Sequence, residues 1–63
     1  MSVGENIRRK REAKGMTQKE LAVAIGVGQS MMAQIERGTK SASLQLGAVI
    51  AKVLECEIAD LVA

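Results

Sequence analysis

The chain has 63 residues, a net charge of +2 and a hydrophobic share of 48%, values typical of one small globular domain over residues 1–63. It contains no Phe, Tyr or Trp, which excludes the aromatic stacking platforms of RNA-recognition and single-strand-binding modules. The absence of histidine and the single cysteine exclude zinc-finger ligand sets and histidine-based catalytic pairs, so we expect no metal, no cofactor and no enzymatic activity.

Charge is unevenly distributed along the chain. Through Lys40, eight Lys and Arg residues stand against four Glu residues, a difference of +4, and from Ser41 onward one Lys stands against three acids, a difference of −2. A basic front half fits a surface that meets nucleic acid, with another partner at the back, although a mixed solvated surface would give the same totals.

Cys56 is the only cysteine, which excludes an internal disulfide and favours a reduced, cytoplasmic setting. We expect it to act as a small apolar residue, buried or half-buried. No apolar run approaches ~18 residues and no signal peptide opens the chain, so we predict neither a membrane span nor export.

Helix start and stop signals divide the chain into short helices and predict an all-α fold. Ser2–Glu5 and Thr17–Glu20 form S/T-x-x-E capping boxes, in which each side chain satisfies a free backbone N–H at a helix start. No segment alternates with period two, so strands are not expected. Five helices are predicted. The first begins at the Ser2–Glu5 capping box and runs to about Lys14, and the fourth begins after the N-cap Ser43. The other four cover Gln18–Ile25, about Gln29–Arg37, Leu44–Leu54 and roughly Ile58–Val62.

The stretch from Gln18 to Ile35 has the spacing of a helix-turn-helix. Ala22 is small where the two helices would cross, Gly26 allows the tight turn, and Val27 would fill the corner. The remaining apolar positions fall where such a pair needs a core: Leu21, Ile25, Met32 and Ile35.

The segment RRKREAKGMTQKELAVAIGVGQSMMAQIERG, followed by SLQLGAVIAKVLE, resembles the Cro/cI-type helix-turn-helix family of phage repressors and related bacterial regulators. The resemblance covers nearly the whole chain. It implies a compact five-helix, lambda-repressor-like DNA-binding domain whose third helix lies in the major groove. Its most specific elements are Arg11, Thr17-Gln18-x-Glu20-Leu21-Ala22, Ile25-Gly26-Val27, Gln29-Ser30 and Ile35-Glu36-Arg37-Gly38.

The third helix carries the candidate base-reading residues. If Met32 and Ile35 face inward, the opposite face presents Gln29, Ser30, Ala33 and Gln34. A glutamine can form two hydrogen bonds with adenine, serine can donate or accept, and alanine can contact a thymine methyl. The alternative is that these are ordinary solvated residues on an exposed face.

Candidate phosphate contacts surround this face. The resemblance places one at Thr17 and Gln18, where a helix N-terminus attracts anions. Arg8, Arg9 and Lys10 either add long-range attraction or form an ordinary solvated face. A second set follows the third helix: Arg37, Thr39 and Lys40.

The resemblance gives Arg11 and Glu36 a structural role. In the family, an arginine on the first helix pairs with a glutamate near the end of the third, and such a pair would fix the recognition helix. Removing one partner of a largely buried pair costs ~3–5 kcal/mol.

Four residues depart from the family pattern, among them Met31, which stands at a place that is more often polar. Gly28 stands at the N-cap of the third helix without a hydroxyl to offer. Gly47 lies inside the fourth helix at a cost of ~1 kcal/mol, which predicts a close backbone approach there. Glu55 replaces a glycine that commonly follows this helix.

The C-terminal half carries more apolar residues than one buried face needs. One stripe contains Leu44, Ile50, Ala51 and Leu54, and a second contains Leu46, Val49 and Val53. We expect the excess to form a two-fold dimer contact, unless five short helices need it for a single core. The candidate dimer residues are Val49, Val53, Cys56, Ile58 and Val62.

Together these features predict a sequence-specific regulator that binds double-stranded DNA, most simply a dimeric repressor of phage or prophage type on a palindromic operator. It would take no small-molecule substrate. The first alternative is the DNA-binding part of a longer repressor, or the antitoxin of a toxin–antitoxin pair. The second is a protein-interaction module that uses the apolar C-terminal half, and salt dependence would separate it from a DNA binder.

Overall fold

The computed structural model describes residues 2–62, and all of its regular structure in that range is helical. The predicted all-α fold is confirmed, and each predicted helix is present with ends that agree within a residue or so. No helix between Ser2 and Val62 has the length and apolar character that crossing a membrane requires. The five helices are α1 (Val3–Ala13), α2 (Gln18–Ile25), α3 (Gln29–Arg37), α4 (Leu44–Val53) and α5 (Ile58–Val62).

Side-chain caps start three of these helices where the sequence places them. The Ser2 hydroxyl accepts a hydrogen bond from the Glu5 N–H at 3.1 Å, and the Glu5 carboxylate accepts one from the Ser2 N–H at 3.1 Å. Thr17 and Glu20 repeat this reciprocal arrangement at α2, with distances of 3.0 and 2.7 Å. The Ser43 hydroxyl caps α4, whereas Gly28 begins α3 without a side-chain hydrogen bond.

All four turns between the helices contain a residue with a left-handed backbone: Gly15, Gly26, Gly38 and Glu55. Gly26 has φ of 79° and closes α2, which lets α3 begin three residues later. The turn after α4 uses Glu55 at φ of 56°, a region that residues with a Cβ rarely adopt. Glu55 therefore adopts the backbone conformation that suits the glycine commonly found at this position in the family.

The core draws on every helix. α3 packs on α1 and α2, α4 packs on α2, and α5 joins α1 to α4. Ala22 is 1% exposed, as the close approach of α2 and α3 requires, and Val27 packs against the core from the turn. The buried apolar residues are Ile7, Leu21, Ala22, Met32, Ile35, Ile50, Ala51, Leu54 and Leu61.

Two expectations for α4 were wrong. Leu44 was placed on the inward stripe but is 77% exposed, because it is the first residue of the helix and lies beyond the core that later turns reach. Gly47 was expected at a close backbone approach, yet a Cβ at this position would meet nothing within 4 Å. Both errors came from treating α4 as packed along its full length.

Two buried residues of α1 had no signal in the sequence. The Asn6 side-chain amide donates a buried hydrogen bond to the Leu61 carbonyl at 2.9 Å and so ties α1 to α5. Gly4, in the first turn of α1, is buried against the end of α3. α1 thus connects the helix that carries the candidate base-reading residues with the C-terminal helix.

Candidate nucleic-acid interface

The outer face of α3 is accessible along its length. Gln29 and Ser30 are exposed, while Ala33 and Gln34, one turn later, are partly exposed. The opposite face is closed, with Met32 at 0% and Ile35 at 2% exposure. The helical period therefore leaves all four candidate base-reading residues on the side of α3 that faces away from the core.

Arg11 and Glu36 form a bidentate ion pair between α1 and α3. The Arg11 Nε donates to Glu36 Oε2 at 2.7 Å, and a terminal nitrogen of the guanidinium donates to Oε1 at 3.0 Å. The other terminal nitrogen donates to the Met16 carbonyl at 2.8 Å. Hydrogen bonding to the Glu36 carboxylate raises the pKa of Arg11 further above its ordinary value. With only 11% and 4% of the two side chains exposed, the pair is held inside the protein.

Glu36 also holds α2. The Gln18 side-chain amide donates to Glu36 Oε1 at 3.2 Å, so this carboxylate accepts hydrogen bonds from both neighbouring helices. One hydrogen of the Gln18 amide nitrogen is therefore engaged within the protein, and a phosphate contact at Gln18 would need the backbone N–H or the second amide hydrogen. The Thr17 hydroxyl oxygen accepts the capping hydrogen bond from the Glu20 N–H, which leaves the hydroxyl hydrogen available to donate. The N-terminus of α2 is thus fixed relative to α3.

The residues that follow α3 are exposed and ordered by backbone hydrogen bonds. The Gln34 carbonyl accepts hydrogen bonds from the backbone N–H groups of Thr39 and Lys40 at 3.0 and 3.3 Å. The Thr39 hydroxyl donates to the same oxygen at 3.2 Å. Arg37, the last residue of α3, and Lys40, on the turn after it, are both exposed, so two cations lie at the C-terminal end of α3.

Arg8 is brought to the same side of the molecule. A polar groove of about 700 Å³ between α1, α2 and α3 is lined by Arg8, Gln18, Ala33 and Arg37, together with acidic residues. Arg8 also pairs with Glu12 at 3.5 Å on the exposed face of α1. The sequence left Arg8 undecided between long-range attraction and an ordinary solvated face, and the fold places it beside α3.

The helix-turn-helix geometry agrees with a match to known proteins. A family model described as helix-turn-helix matches residues 7–61. The chain belongs to the Cro/cI-type helix-turn-helix family of transcriptional regulators.

Curated relatives of this family match most of the chain. An HTH-type transcriptional regulator of Archaeoglobus fulgidus is 42% identical over 55 residues, which is 87% of this chain and 79% of the relative. The regulator y4dL of Sinorhizobium fredii is 39% identical over 56 residues. This chain spans only 29% of the length of y4dL.

Solved structures of the family superimpose closely on this fold, each over 94% of the chain. The clp gene regulator ClgR of Corynebacterium glutamicum has a TM-score of 0.90 at 36% identity, with 63% of its own chain covered. The restriction-modification controller C.AhdI of Aeromonas hydrophila has a TM-score of 0.88 at 34% identity, with 89% covered. The biofilm regulator SinR, solved in complex with DNA, has a TM-score of 0.87 at 32% identity, with 95% covered.

Besides the buried pair of Arg11 and Glu36, the structure contains a surface ion pair between distant parts of the chain that sequence spacing could not show. The Lys14 ammonium contacts the Glu55 carboxylate across 41 positions of sequence. This hydrogen bond holds the pKa of Glu55 below its ordinary value. It links the end of α1 to the left-handed turn between α4 and α5.

The candidate dimer residues of this family member divide into two groups. Val49 and Val62 are exposed, at 43% and 62%, whereas Val53, Cys56 and Ile58 are half-buried against the core. Burial raises the pKa of the Cys56 thiol. The half-buried group thus completes the core, and the exposed Val62 lines an apolar groove of about 300 Å³ between α1, α4 and α5.

Proposed function

We propose that this protein binds double-stranded DNA in a sequence-specific manner and represses transcription as a homodimer on a palindromic operator. The observation that carries the proposal is the outer face of α3. Four short or amide-bearing side chains lie there on a helix whose opposite face and C-terminal turn are locked to α1 and α2. No bond-making chemistry is part of this function.

The side chains on α3 suit the edges of base pairs in the major groove. Gln29 and Gln34 each carry an amide that can donate a hydrogen bond to N7 of adenine and accept one from its N6 amino group. Ser30 and Ala33 are short enough to let the helix approach the base edges closely. A rigid backbone matters here because base-edge hydrogen bonds are directional and fix the register of the helix.

Phosphate contacts would flank the reading helix on both sides. The N-terminus of α2 supplies backbone N–H groups and the positive end of the helix dipole. On the other side, exposed cations lie at the last residue of α3, Arg37, and on the turn that follows it, at Lys40. Such contacts position the protein on the duplex but carry no sequence information.

The solved relatives support this assignment. SinR was solved in complex with DNA, and C.AhdI is a restriction-modification controller protein. The identities of 32–36% with these structures extend over nearly the whole of this chain. By analogy, residues 1–63 would act as a single DNA-binding domain, either alone or as the DNA-binding part of a longer repressor or antitoxin.

The exposed apolar residues of the C-terminal half support pairing of two copies. Val49 and Val62 lie on α4 and α5, whose main contacts are with α1, α2 and each other. A two-fold contact there would present two copies of α3 to successive major grooves, ~34 Å apart. A palindromic operator would then mirror the symmetry of the protein.

Selection of binding sites from random duplex DNA tests the proposal most directly. We expect the recovered sites to share an inverted repeat with half-sites about one helical turn apart. Affinity for the recovered site should fall steeply as salt rises, because cationic side chains release counterions from phosphates. Recovery of no common sequence, together with salt-independent binding to a protein partner, would instead identify an interaction module.

A further inference from the structure

Gly4 allows the backbone of α1 to lie directly against the last turn of α3. A Cβ built at this position would stand 2.5 Å from the Glu36 carbonyl oxygen, 2.9 Å from its carbonyl carbon, and closer still to the Ile35 carbonyl oxygen. Real Cβ atoms essentially never come within 3.0 Å of a non-bonded heavy atom from another part of the fold. Only glycine therefore permits this contact, in which a Cα hydrogen points toward two carbonyl oxygens.

The contact is particular to Gly4. At each of the other five glycines, a Cβ would meet nothing within 4 Å. Three of those five have positive φ and occupy turns, whereas Gly4 is the second residue of a helix, an element in which glycine is less favourable than alanine. Glycine at position 4 thus suits the close packing of α3 against α1 rather than the helix propensity of α1 itself.

Two points on one face of α1 hold the end of α3. Gly4 contacts the carbonyl groups of Ile35 and Glu36, and Arg11, seven residues later on the same face, binds the Glu36 carboxylate. One point restrains the backbone and the other restrains a side chain. Together they set both the separation of the two helices and the tilt of α3.

We propose that Gly4 is a positioning residue for sequence reading, which rests on the proposed function of α3 as the recognition helix. A side chain at position 4 would push the last turn of α3 outward, because the 2.5 Å separation must open to at least 3.0 Å. α3 has nine residues, so a shift at one end tilts the whole helix and moves Gln29 and Gln34. Base-edge hydrogen bonds need placement within about 0.5 Å, whereas attraction between cations and phosphates tolerates such movement.

The structure supplies a matched control for this substitution. Gly47 is also a helical glycine, and Gly47→Ala adds the same methyl group into open space. It should raise the melting temperature because alanine favours the helix. We would compare Gly47→Ala with the double variant Gly4→Ala/Gly47→Ala, after sedimentation shows that Gly47→Ala associates as the wild type does.

The readout is the ratio of affinities for the selected site and for a scrambled duplex of equal length. With both variants folded by circular dichroism, we expect the double variant to lose about tenfold or more in this ratio, a loss comparable to one mismatched base pair. Its affinity for scrambled DNA should stay within about twofold of the control, since phosphate contacts dominate that binding.

Three results would overturn the proposal. The first is an unchanged ratio in a folded double variant, and the second is an equal loss on both duplexes. The third is a failure to fold that Gly47→Ala does not repair, which would assign Gly4 to folding alone. If the wild type shows no preference for any sequence, the proposed function itself fails, and that outcome is separate from these three.

The wild-type protein offers an independent check of the contact. Proton–proton Overhauser effects between the Gly4 Hα atoms and the backbone of Glu36 or Arg37 should be present in the free and the DNA-bound protein. Their presence in both states supports the proposal. Their absence from the bound state would overturn it, because the contact must persist while the helix reads the bases.

Discussion

The Arg11 guanidinium and the Glu36 carboxylate face each other through two hydrogen bonds, of 2.7 and 3.0 Å, across the boundary between α1 and α3. Since Gln18 donates to the same carboxylate, one acidic side chain joins the first three helices. Every polar group of the Glu36 side chain thus has a partner within the protein. The position of α3 in this family member depends on a buried charge that is fully compensated.

Glu36→Gln should destabilise the fold by ~3–5 kcal/mol, because it leaves the Arg11 charge buried without its counter-charge. Urea denaturation of the two proteins measures this difference. Glu12→Gln is the matched control, since Glu12 pairs with Arg8 at the surface with 57% of its side chain exposed. That control should change stability by no more than about 0.5 kcal/mol. Equal small effects of the two substitutions would show that the Arg11–Glu36 pair contributes little.

Gln29→Ala and Lys40→Ala should affect DNA binding in different ways. Loss of the Gln29 amide should relax base preference at one operator position by ~1–3 kcal/mol. Loss of the Lys40 charge should weaken binding to all sequences about equally and lower the salt slope by about one. Binding assays on matched and scrambled duplexes distinguish the two.

Lys52→Ala is the control for both variants, since this exposed lysine lies on α4, whose main packing partners are α2 and α5. It should bind both duplexes nearly as the wild type does. If Gln29→Ala and Lys40→Ala acted equally on both duplexes, the assignment of base-reading and phosphate-binding residues would be wrong.

Val49→Lys should weaken self-association by at least about tenfold, because it places a charge at an exposed apolar position of the proposed dimer surface. Val23→Lys makes the same change on α2, where the valine is 73% exposed and no dimer contact is proposed. Sedimentation equilibrium at several concentrations compares the two. A wild type that stays monomeric at high concentration and binds DNA as a monomer would refute the dimer.

Stability should decline in acid partly through the two capping boxes. Hydrogen bonds from Thr17 hold the pKa of Glu20 below its ordinary value, and those from Ser2 do the same for Glu5. A carboxyl whose pKa is lower in the folded state stabilises the fold above its unfolded pKa, and this contribution is lost as the pH falls through the folded pKa. The loss should therefore begin near pH 4.5, the ordinary value for Glu, and continue below it.

Glu20→Gln keeps a capping side chain but removes its titration. Melting temperatures measured from neutral to acidic pH should fall less steeply for this variant than for the wild type. Parallel curves for the two proteins would show that the capping carboxylate contributes nothing to the acid sensitivity.

Glu55→Gly should raise the melting temperature by a few degrees, because glycine adopts the positive φ of 56° at this turn without steric cost. The substitution also removes the surface contact with Lys14, which contributes little. Glu55→Ala removes the same contact but keeps the backbone strain, so it should melt below Glu55→Gly. Equal melting temperatures for the glycine and alanine variants would rule out strain at this turn.

The sequence predicted the parts of this structure that depend on near neighbours. Capping boxes at Ser2 and Thr17 placed two helix starts, and the spacing around Ala22 and Gly26 placed the helix-turn-helix. The resemblance to a family then supplied the expectation that α3 lies in the major groove of DNA. These signals are local because a cap or a tight turn is decided within a few residues.

The parts that the sequence did not predict depend on residues far apart in the chain. Gly4 meets α3 across more than 30 positions, and Asn6 reaches the Leu61 carbonyl across 55. Leu44 is exposed because the core does not extend to the first residue of α4. A Cβ at Gly47 would meet open space because no other element packs closely against α4 at that point. Helical periodicity gives the face on which a residue lies but not which helix covers it.

The packing order of the helices has a consequence for how such a domain can diversify. α3 rests mainly on α1 and α2, while the exposed apolar residues of α4 and α5 lie on helices whose main contacts are with α1, α2 and each other. Substitutions on the outer face of α3 can therefore accumulate without disturbing the surface where two copies would meet, and the reverse also holds. Gene duplication could then yield descendants with new target sequences and old pairing partners, or old targets and new partners, from a single ancestral scaffold.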